Sequence, residues 1–509
     1  MTIHVSKVAI IGAGVSGVVT GKHFSAANIN VTIYERSADY GGVWLYDQRT
    51  PAEPSYPSAS PSIADFDASK IEAQSAPQEV INGSKSHRPA YDELTYAPPG
   101  PCYDTLRNNV PTPLVKLRGQ PWPDGTGDFV LHSVIKDYIV EAARLSDLER
   151  STRFNTRVER VWKNFDKWNV ASRTLRRSKS GRLSSSVDIV EYDAVVVASG
   201  HYHAARVPDI PGLASWKNKW PTRVMHSKGY RSASDFKDQN VFLLGAGTSS
   251  TDIARELIGV ANNVYQSSRG GTFDLPLELL PMEASRVAGI LRFSEPDRGS
   301  SAIPSHAPIP AEIHLTDGTK ISNIHRVIVC TGYNISLPYL SQFHSDNTHP
   351  NLARPETIVT DGAQYHNLYE DIFYISDPTL AFVGVPYYTA TFSLFEFQAM
   401  AVAAVWTGGA DLPTENEMRR LYNERVQTVG LGRGFNSLRG QEVEYVNRLF
   451  KWINMYGAQR GRKPLIGHDE EWQKGRTLLA EKLKERLAVR PSVGKPNGNK
   501  AVKDWLDID

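Results

Sequence analysis

The chain has 509 residues, of which 40% are hydrophobic and 22% are charged. This length corresponds to two to four domains at about 100 to 200 residues per domain, so it excludes a small peptide scaffold. The apolar fraction excludes a wholly disordered chain. Lys and Arg total 57 against 55 Asp and Glu, and the resulting charge of +2 indicates no nucleic-acid partner.

The two cysteines, Cys102 and Cys330, lie far apart in the chain. They form no C-x-x-C pair and no zinc pattern, and they are too few for a disulfide framework. The first residues lack the pattern of a secretory signal, and Pro386 and Glu396 interrupt the apolar segment 379–410. We therefore predict a cytoplasmic protein without a transmembrane segment and without a metal site.

The first predicted elements form a β-α-β unit. Lys7 to Ile11 is a short apolar strand, a helix follows over about Val15 to Ala26, and Asn30 to Tyr34 is the next strand. Short strands without polar alternation are typical of a parallel sheet that is covered on both faces. Later strands at 194–198 and 327–330 also lead into a glycine. The sequence therefore predicts an α/β fold.

A glycine-rich turn joins the first strand to its helix. The turn is Gly12-Ala13-Gly14-Val15-Ser16-Gly17, and Glu35 follows the second strand. In a G-x-G-x-x-G turn the first glycine permits the tight turn, the second lets a pyrophosphate approach the helix N-terminus, and the third allows close helix packing. Because Glu35 can accept hydrogen bonds from a ribose diol, this unit is predicted to bind a dinucleotide.

A second unit repeats the arrangement. Its predicted nucleotide-binding residues are Gly245, Gly247, Ser249, Ser250, Thr251, Asp252 and Arg269. Ser250 replaces the third glycine, and a serine still fits close packing. No acidic residue ends the second strand of this unit, where Arg269 stands instead. Since an arginine binds a 2′-phosphate that a carboxylate would repel, we expect FAD in the first unit and NADPH in the second.

Further motifs occur in the order found in a known family. They are Gly41-Gly42-Val43-Trp44, Tyr103-Asp104-Thr105-Leu106-Arg107-Asn108-Asn109-Val110-Pro111, the stretch 195–202, and Cys330-Thr331-Gly332-Tyr333. Together with the two glycine motifs, this series resembles the flavin-containing monooxygenases over residues 5–410. A proline- and serine-rich segment at 51–90 interrupts it. That segment is predicted to be a loop insertion, either mobile or draped over the surface.

The resemblance implies two Rossmann-like dinucleotide-binding domains of three layers each, with the NADP domain inserted in the FAD domain. The FAD domain would comprise residues 1–205 and 326–509, the latter with C-terminal helices, and the NADP domain residues 206–325. The implied activity is that of an FAD- and NADPH-dependent monooxygenase. In that reaction O2 adds at the flavin C4a, and the hydroperoxide oxygenates a nitrogen or sulfur of a small molecule.

The resemblance also assigns site residues. Gly42, Val43 and Trp44 would bind cofactor, Asn109 would be the catalytic donor to the hydroperoxyflavin or NADP, and Asn108 would lie at the nicotinamide side. The alternative for Asn109 is a structural role in the turn before Pro111.

The family's identifying stretch has drifted in this chain, with Trp220 and Thr222 in place of its Phe and Gly. His226 and Tyr230 are therefore predicted to be structural. Tyr230-Arg231 stands where Baeyer–Villiger relatives carry Trp-Pro, which favours oxygenation of nitrogen or sulfur.

Three alternatives stay open on the sequence alone. The first is Baeyer–Villiger oxygenation of a ketone. The second is a flavin disulfide reductase or dithiol oxidase, which needs Cys102 and Cys330 within bonding distance. The third is a non-catalytic flavin- and NADP-binding sensor, which the drift at Trp220 and Thr222 permits. The expected partners are a small-molecule substrate and O2, and the sequence leaves assembly into a homo-oligomer open.

Overall fold

The computed structural model describes residues 3–68, 93–181, 183–296, 303–304 and 306–489. The α-helices of this part are α1 (Val15–Ala26), α2 (Glu93–Tyr96), α3 (His132–Leu145), α4 (Leu213–Lys219), α5 (Thr248–Leu257), α6 (Thr391–Trp406), α7 (Glu415–Val429), α8 (Glu442–Gln459) and α9 (Glu470–Val489).

The strands are β1 (Lys7–Ile11), β2 (Asn30–Tyr34), β3 (Thr152–Arg153), β4 (Thr156–Asn164), β5 (Lys167–Arg177), β6 (Leu183–Tyr192), β7 (Ala194–Val197), β8 (Ala204–Ala205), β9 (Val224–His226), β10 (Asn240–Leu244), β11 (Asn263–Ser267), β12 (Ser285–Val287), β13 (Ile290–Phe293), β14 (Ile313–Leu315), β15 (Lys320–Ile321), β16 (Arg326–Val329), β17 (Tyr333–Asn334), β18 (Leu368–Tyr369), β19 (Phe373–Tyr374) and β20 (Leu380–Phe382).

A seven-stranded sheet in the order β18-β19-β20-β7-β1-β2-β3 forms the first unit. Strand β1 pairs in parallel with β2 on one side and with β7 on the other. Val8 and Ile10 of β1 pack with residues of α1 and α6, whereas Ala9 and Ile11 pack with residues of β4 and β5. The predicted three layers are therefore present, with the antiparallel sheet β4-β5-β6 as the third layer.

A second, fully parallel sheet has the order β12-β11-β10-β16-β9. The chain enters it after β7 and returns to the first sheet at β18, so the second unit is inserted in the first, as predicted. Strand β16 (Arg326–Val329) pairs with β10 and β9. The predicted domain boundary between residues 325 and 326 thus falls before the last strand of the second sheet. Apolar strands followed by a glycine occur in both sheets. The sequence pattern therefore does not tell which strands β16 pairs with, and only the fold shows it.

The two connections between the units run side by side. Strand β8 leads out of the first unit and pairs antiparallel with β17, which leads back. The backbone N–H of Arg206 donates to the carbonyl of Gly332 at 2.9 Å. Both crossings therefore form one small ladder between the sheets.

The C-terminal helices pack against both units. Amphipathic, charged patterns at about 415–429 and 469–488 predict two helices in an outer layer, and α7 and α9 confirm these helices. The sequence analysis predicts neither α3 nor α8. Helix α9 contacts Thr112–Val115 of the first unit and Leu277–Leu279 of the second. It therefore bridges the two units and is not only the outer layer that the sequence predicted. The polar residues 491–500 are predicted to form a loose tail, and they lie outside the described residues.

The predicted insertion at 51–90 is described up to residue 68, and its remainder lies outside the described residues. The described part is draped over the surface, which is one of the two arrangements predicted for this segment. Ser62 Oγ donates to Asp346 Oδ2 at 2.5 Å, and Ser58 Oγ donates to the carbonyl of Val207 at 3.1 Å. Among the described residues, none of the helices is both long enough and apolar enough to cross a membrane.

Candidate functional site

One cavity of about 2200 Å³ lies between the two sheets and is reached by both glycine loops. Gly12 and Gly14 line it from the first loop, and Gly245 and Gly247 line it from the second. Because a pocket for one drug-sized ligand has about 300 to 1,000 Å³, this cavity has room for two dinucleotides. The two loops that the sequence predicts to bind nucleotides therefore face one common space.

The first loop is shaped by backbone contacts that only glycine allows. Gly12 has a φ of +106°, and a Cβ there would lie 2.6 Å from the carbonyl oxygen of Ala198. A Cβ on Gly17 would lie 1.9 Å from the carbonyl oxygen of Gly12. Gly14 begins α1 without a side-chain cap, so the helix N-terminus is left for another acceptor. These features fit the pyrophosphate of FAD.

The remaining predicted residues of this unit divide into two groups. Together with Gly12 and Gly14, the cavity is lined by Val15, Ser16, Glu35, Gly42, Val43 and Trp44. Ala13 and Gly17 lie behind them, where the backbone N–H of Ala13 donates to Glu35 Oε2 at 2.8 Å. Glu35 is 7% exposed, and its Oε1 accepts from the backbone N–H of Ser37 at 2.7 Å. Its carboxylate therefore holds the loop in place at the edge of the predicted ribose site.

The second loop repeats the geometry of the first. Gly245 has a φ of +111°, and a Cβ there would lie 2.8 Å from the carbonyl oxygen of Cys330. Gly247 begins α5 without a side-chain cap, and Ser249 is exposed in the cavity. Arg269 follows β11, is exposed, and lines the same cavity. The second loop therefore fits a nicotinamide dinucleotide as the first fits FAD.

Ser250 and Thr251 are buried and do not line the cavity, in contrast to their predicted place among the nucleotide-binding residues. Gln266 Nε2 donates to Ser250 Oγ at 2.9 Å and to Thr251 Oγ1 at 3.1 Å. The two hydroxyls thus attach α5 to β11, so Ser250 does fit the close packing expected of it. Asp252 lines the cavity and accepts a hydrogen bond from Tyr103.

Asn108 and Asn109 have different environments. Asn108 is 3% exposed, and its Nδ2 donates to the carbonyls of Val110 and Asp128, both at 2.7 Å. Its Oδ1 accepts from the backbone N–H of Val130 at 2.6 Å. Both amide donors of Asn108 are used inside the protein, so its side chain shapes the turn. Asn108 also lines the cavity, and its place at the nicotinamide side stays a prediction. Asn109 is exposed and lines the cavity.

Arg36, Asp65 and His203 form a polar cluster beside Glu35 that the sequence analysis does not predict. Arg36 Nη1 donates to Asp65 Oδ2 at 2.9 Å, and Arg36 Nη2 lies 2.6 Å from His203 Nδ1. Burial raises the pKa of Asp65, but Arg36 and its other cationic neighbours outweigh this and bring the pKa to about 2. Asp65 belongs to the predicted insertion, whose composition carries no signal of a role at the cavity.

A second wall of the cavity is built by the C-terminal helices. Glu442 Oε2 accepts from the backbone N–H of Ala390, which begins α6, at 2.8 Å. Glu442 Oε1 lies 3.5 Å from His468 Nε2, and neither atom forms a hydrogen bond with any of the described residues. Burial raises the pKa of Glu442 to about 7 and lowers that of His468 to about 3. Trp472 of α9 stacks on His468 at 3.5 Å and lines the cavity.

Aromatic side chains form much of the remaining wall. Phe273 stacks on Tyr388 with 5.9 Å between the ring centroids, and Tyr202 contacts Tyr333 at 5.4 Å. All four residues line the cavity. These rings give this side of the cavity a largely apolar surface.

The two cysteines do not form a redox pair. Both Cys102 and Cys330 are buried free thiols, and burial raises the pKa of Cys102 to about 12. A thiol of that pKa is a poor nucleophile at neutral pH. Two buried thiols that form no disulfide give no support to the disulfide reductase alternative.

His226 and Tyr230 have the structural role that the sequence predicted. His226 is fully buried, its Nε2 lies 3.2 Å from the carbonyl oxygen of Gly332, and burial lowers its pKa to about 3. Tyr230 is 1% exposed and packs between Tyr103 and Phe236.

Comparison with known proteins gives the family. The model described as "Flavin-binding monooxygenase-like" matches residues 5–55 and 100–277. The chain is 41% identical over 501 residues to flavin-containing monooxygenase ustF2 of Aspergillus flavus, covering 95% of this chain and 98% of that protein. The chain belongs to the flavin-containing monooxygenase family. Flavin-containing monooxygenase iboF of Amanita muscaria is 32% identical over 491 residues, which cover 90% of this chain and 89% of that protein.

A solved structure shares the fold of this monooxygenase. S-allyl-L-cysteine S-oxygenase from Allium sativum superposes with a TM-score of 0.67, at 24% identity and 99% coverage of both chains. The resemblance seen in the motifs is therefore confirmed, and with it FAD and NADPH as the cofactors of the family.

Proposed function

We propose that this monooxygenase consumes NADPH and uses O2 to oxygenate a nitrogen or sulfur atom of a small molecule. The observation that carries the proposal is the single cavity shared by both glycine loops and Asn109. Bound FAD, reduced by NADPH, supplies the activated oxygen. The protein's own part is to hold both dinucleotides, to exclude water, and to place a neutral donor at the reacting centre.

Asn109 is our candidate for the catalytic donor. Among the described residues, its side-chain amide has no hydrogen-bond partner, and it faces the cavity. A side-chain amide can donate a hydrogen bond without adding a charge and without itself acting as an acid or a base. Asn108 supports this role because its hydrogen bonds to the neighbouring backbone fix the turn that carries Asn109.

The choice of nitrogen or sulfur over a carbonyl is supported by the sequence at Tyr230-Arg231. Arg231 is buried and donates to the backbone carbonyls of Arg49 at 3.1 Å and Lys228 at 2.9 Å. This arginine ties the turn after β9 to the first unit. The proline that Baeyer–Villiger relatives carry at the position of Arg231 would supply none of these hydrogen bonds. A cytoplasmic location and a homo-oligomer stay predictions.

The test is turnover by the purified protein with three substrate panels, namely amines, thioethers and ketones. We expect a yellow protein that consumes NADPH and O2 and incorporates oxygen into an amine or a thioether. Ester formation from a ketone would replace the proposal by the Baeyer–Villiger alternative. Retention of FAD without reduction by NADPH would leave a nucleotide-binding sensor.

A further inference from the structure

One end of the cavity joins the turn that carries Asn109 to the C-terminal helices. Asn109 and Glu442 both line the cavity, and they are followed in the chain by Val110 and Val443. These two valines pack against one apolar cluster, whose remaining residues are Leu114, Ala390, Trp472 and Leu479. The cluster therefore brings Asn109, our candidate for the catalytic donor, and Glu442 to the same end of the cavity.

The walls of this end are largely apolar. Trp472 of α9 is 5% exposed, lines the cavity, and stacks on His468 with 3.5 Å between the ring centroids. Leu479 lies about two turns further along α9 and also lines the cavity. Helix α9 contacts Thr112–Val115, which follow the Asn109 turn. This surface is suited to the carbon skeleton of a small molecule.

Glu442 places one carboxyl group in these apolar surroundings, and its side chain is 13% exposed. Its Oε2 accepts from the backbone N–H of Ala390 at 2.8 Å. Its Oε1 lies 3.5 Å from His468 Nε2 and has no hydrogen-bond partner among the described residues. A carboxylate away from water is destabilised unless a cation or a hydrogen-bond donor satisfies it. A protonated amine supplies both the charge and the N–H donors, so it matches this carboxyl group.

The proposed chemistry gives Glu442 a second task when the substrate is an amine. Oxygenation uses the lone pair of the nitrogen, and a protonated amine has none, since its ordinary pKa is about 10.4. Burial raises the pKa of Glu442 to about 7, and Ala390 and Arg476 lower it by less than burial raises it. Glu442 is therefore a stronger base than an exposed glutamate. Removing water from both groups also favours the neutral amine and the neutral carboxyl group over the ion pair.

We propose that the substrate is an alkylamine that enters as its ammonium ion, and that Glu442 binds this group and takes up its proton. One N–H bond of the ammonium breaks, an O–H bond forms on the carboxyl group, and the electron pair stays on nitrogen. The carboxyl group returns the proton to solvent after the product leaves. This inference rests on the proposed function and selects nitrogen over sulfur within it.

The test compares two probes that share a benzyl group, namely N,N-dimethylbenzylamine and benzyl methyl sulfide. Calorimetry measures their binding to the FAD-loaded protein, so this step requires no turnover. In E442Q the side-chain carbonyl still accepts from Ala390, and E442D keeps the charge. E444Q is the control because Glu444 is exposed on the same helix and lies outside the cavity.

We expect E442Q to bind the amine about 10- to 100-fold more weakly at pH 8 and to bind the sulfide like the wild type. E442D should retain an intermediate affinity, and E444Q should behave as the wild type. With saturating probe, E442Q should oxygenate the amine at least about 100-fold more slowly and should oxygenate the sulfide at the wild-type rate.

The pH dependence gives an independent measurement. Because Glu442 is protonated below pH 7 and ionised above it, the wild-type affinity for the amine should rise between pH 6 and pH 8. The affinity of E442Q should not change in this way. Arg476 and His468 face the same carboxyl group, but arginine stays charged and His468, with a pKa of about 3, stays neutral over this range.

The outcomes separate this inference from the proposed function. Equal weakening of both probes by E442Q, or a wild type that binds the sulfide and not the amine, would overturn the inference and leave the proposed function in place. A wild type that binds neither probe would also overturn the inference. Weaker binding of the amine with an unchanged rate at saturation would contradict proton uptake by Glu442. The proposed function fails separately if the wild type oxygenates no amine and no thioether. The FAD content of each variant shows that the fold is retained.

Discussion

The carboxylate of Glu35 accepts a hydrogen bond from the backbone N–H of Ala13 at 2.8 Å. This bond joins the end of β2 to the glycine loop that begins α1. The second carboxylate oxygen accepts from Ser37, so both oxygens of Glu35 are used in holding the backbone at this edge of the cavity. Glu35 therefore shapes the glycine loop, in addition to its predicted role as an acceptor for the ribose of the nucleotide.

Replacing Glu35 by alanine is expected to weaken FAD binding. The E35A variant leaves the buried N–H of Ala13 without its acceptor, and an unsatisfied buried donor costs about 1 to 3 kcal/mol. We expect the dissociation constant of FAD, measured by flavin fluorescence on the apoprotein, to rise at least about tenfold. E149Q changes an exposed glutamate outside the cavity and serves as the control. An E35A protein that binds FAD like the control would contradict this role.

Gly17 should tolerate no side chain. A Cβ on Gly17 would lie 1.9 Å from the backbone oxygen of Gly12, so G17A must displace α1 or the loop. We expect G17A to be purified without FAD, or to remain insoluble. G127A is the matched control because a Cβ on Gly127 meets nothing within 4 Å. Normal FAD content in G17A would contradict this prediction, because it would show that α1 can shift with little loss of free energy.

Asn108 and Asn109 should respond differently to alanine. N108A removes three hydrogen bonds to the backbone and is expected to lower the free energy of unfolding by about 1 to 3 kcal/mol. N109A should leave stability and the rate of flavin reduction unchanged and should release more hydrogen peroxide per NADPH consumed. Denaturant unfolding and a peroxide assay distinguish the two. An unchanged coupling ratio in N109A would remove its catalytic role.

Glu442 should make the stability of the protein depend on pH. Its pKa is raised from 4.5 to about 7, chiefly by burial, so the folded state holds its proton more tightly than the unfolded state does. The contribution of this group is therefore fully present below pH 4.5 and is lost as the pH rises through 7. Arg476 opposes the shift by lowering the pKa, and His468, which is neutral over this range, faces the same carboxyl group.

The E442Q variant removes this titration and provides the measurement. Between pH 5 and pH 8 its free energy of unfolding should gain about 2 kcal/mol relative to the wild type. E481Q, an exposed glutamate on α9, should follow the wild type at both pH values. A difference between E442Q and the wild type that does not change with pH would show that Glu442 is ionised throughout.

The sequence by itself determined the elements whose causes are local. The bounds of α1 and β2 follow from a run of small and apolar residues between two glycine-rich turns, and both are confirmed. Gly12, Gly14 and Gly17 are recognisable because a tight turn and a close approach of backbone atoms require glycine at fixed spacing. The insertion of one unit in the other was implied by the resemblance to the flavin-containing monooxygenases, and the order of the strands in the two sheets confirms it.

The tertiary structure decided the features that depend on pairing and burial. Whether β16 joins the first or the second sheet depends on hydrogen bonds between residues far apart in the chain. Asn108 and Asn109 are the same residue type at adjacent positions, and only the fold ties the side-chain amide of Asn108 to the backbone while leaving Asn109 exposed in the cavity. Arg36, Asp65 and Glu442 belong to no motif, because contacts between separate segments bring them to the cavity, and such contacts leave no local pattern in the sequence.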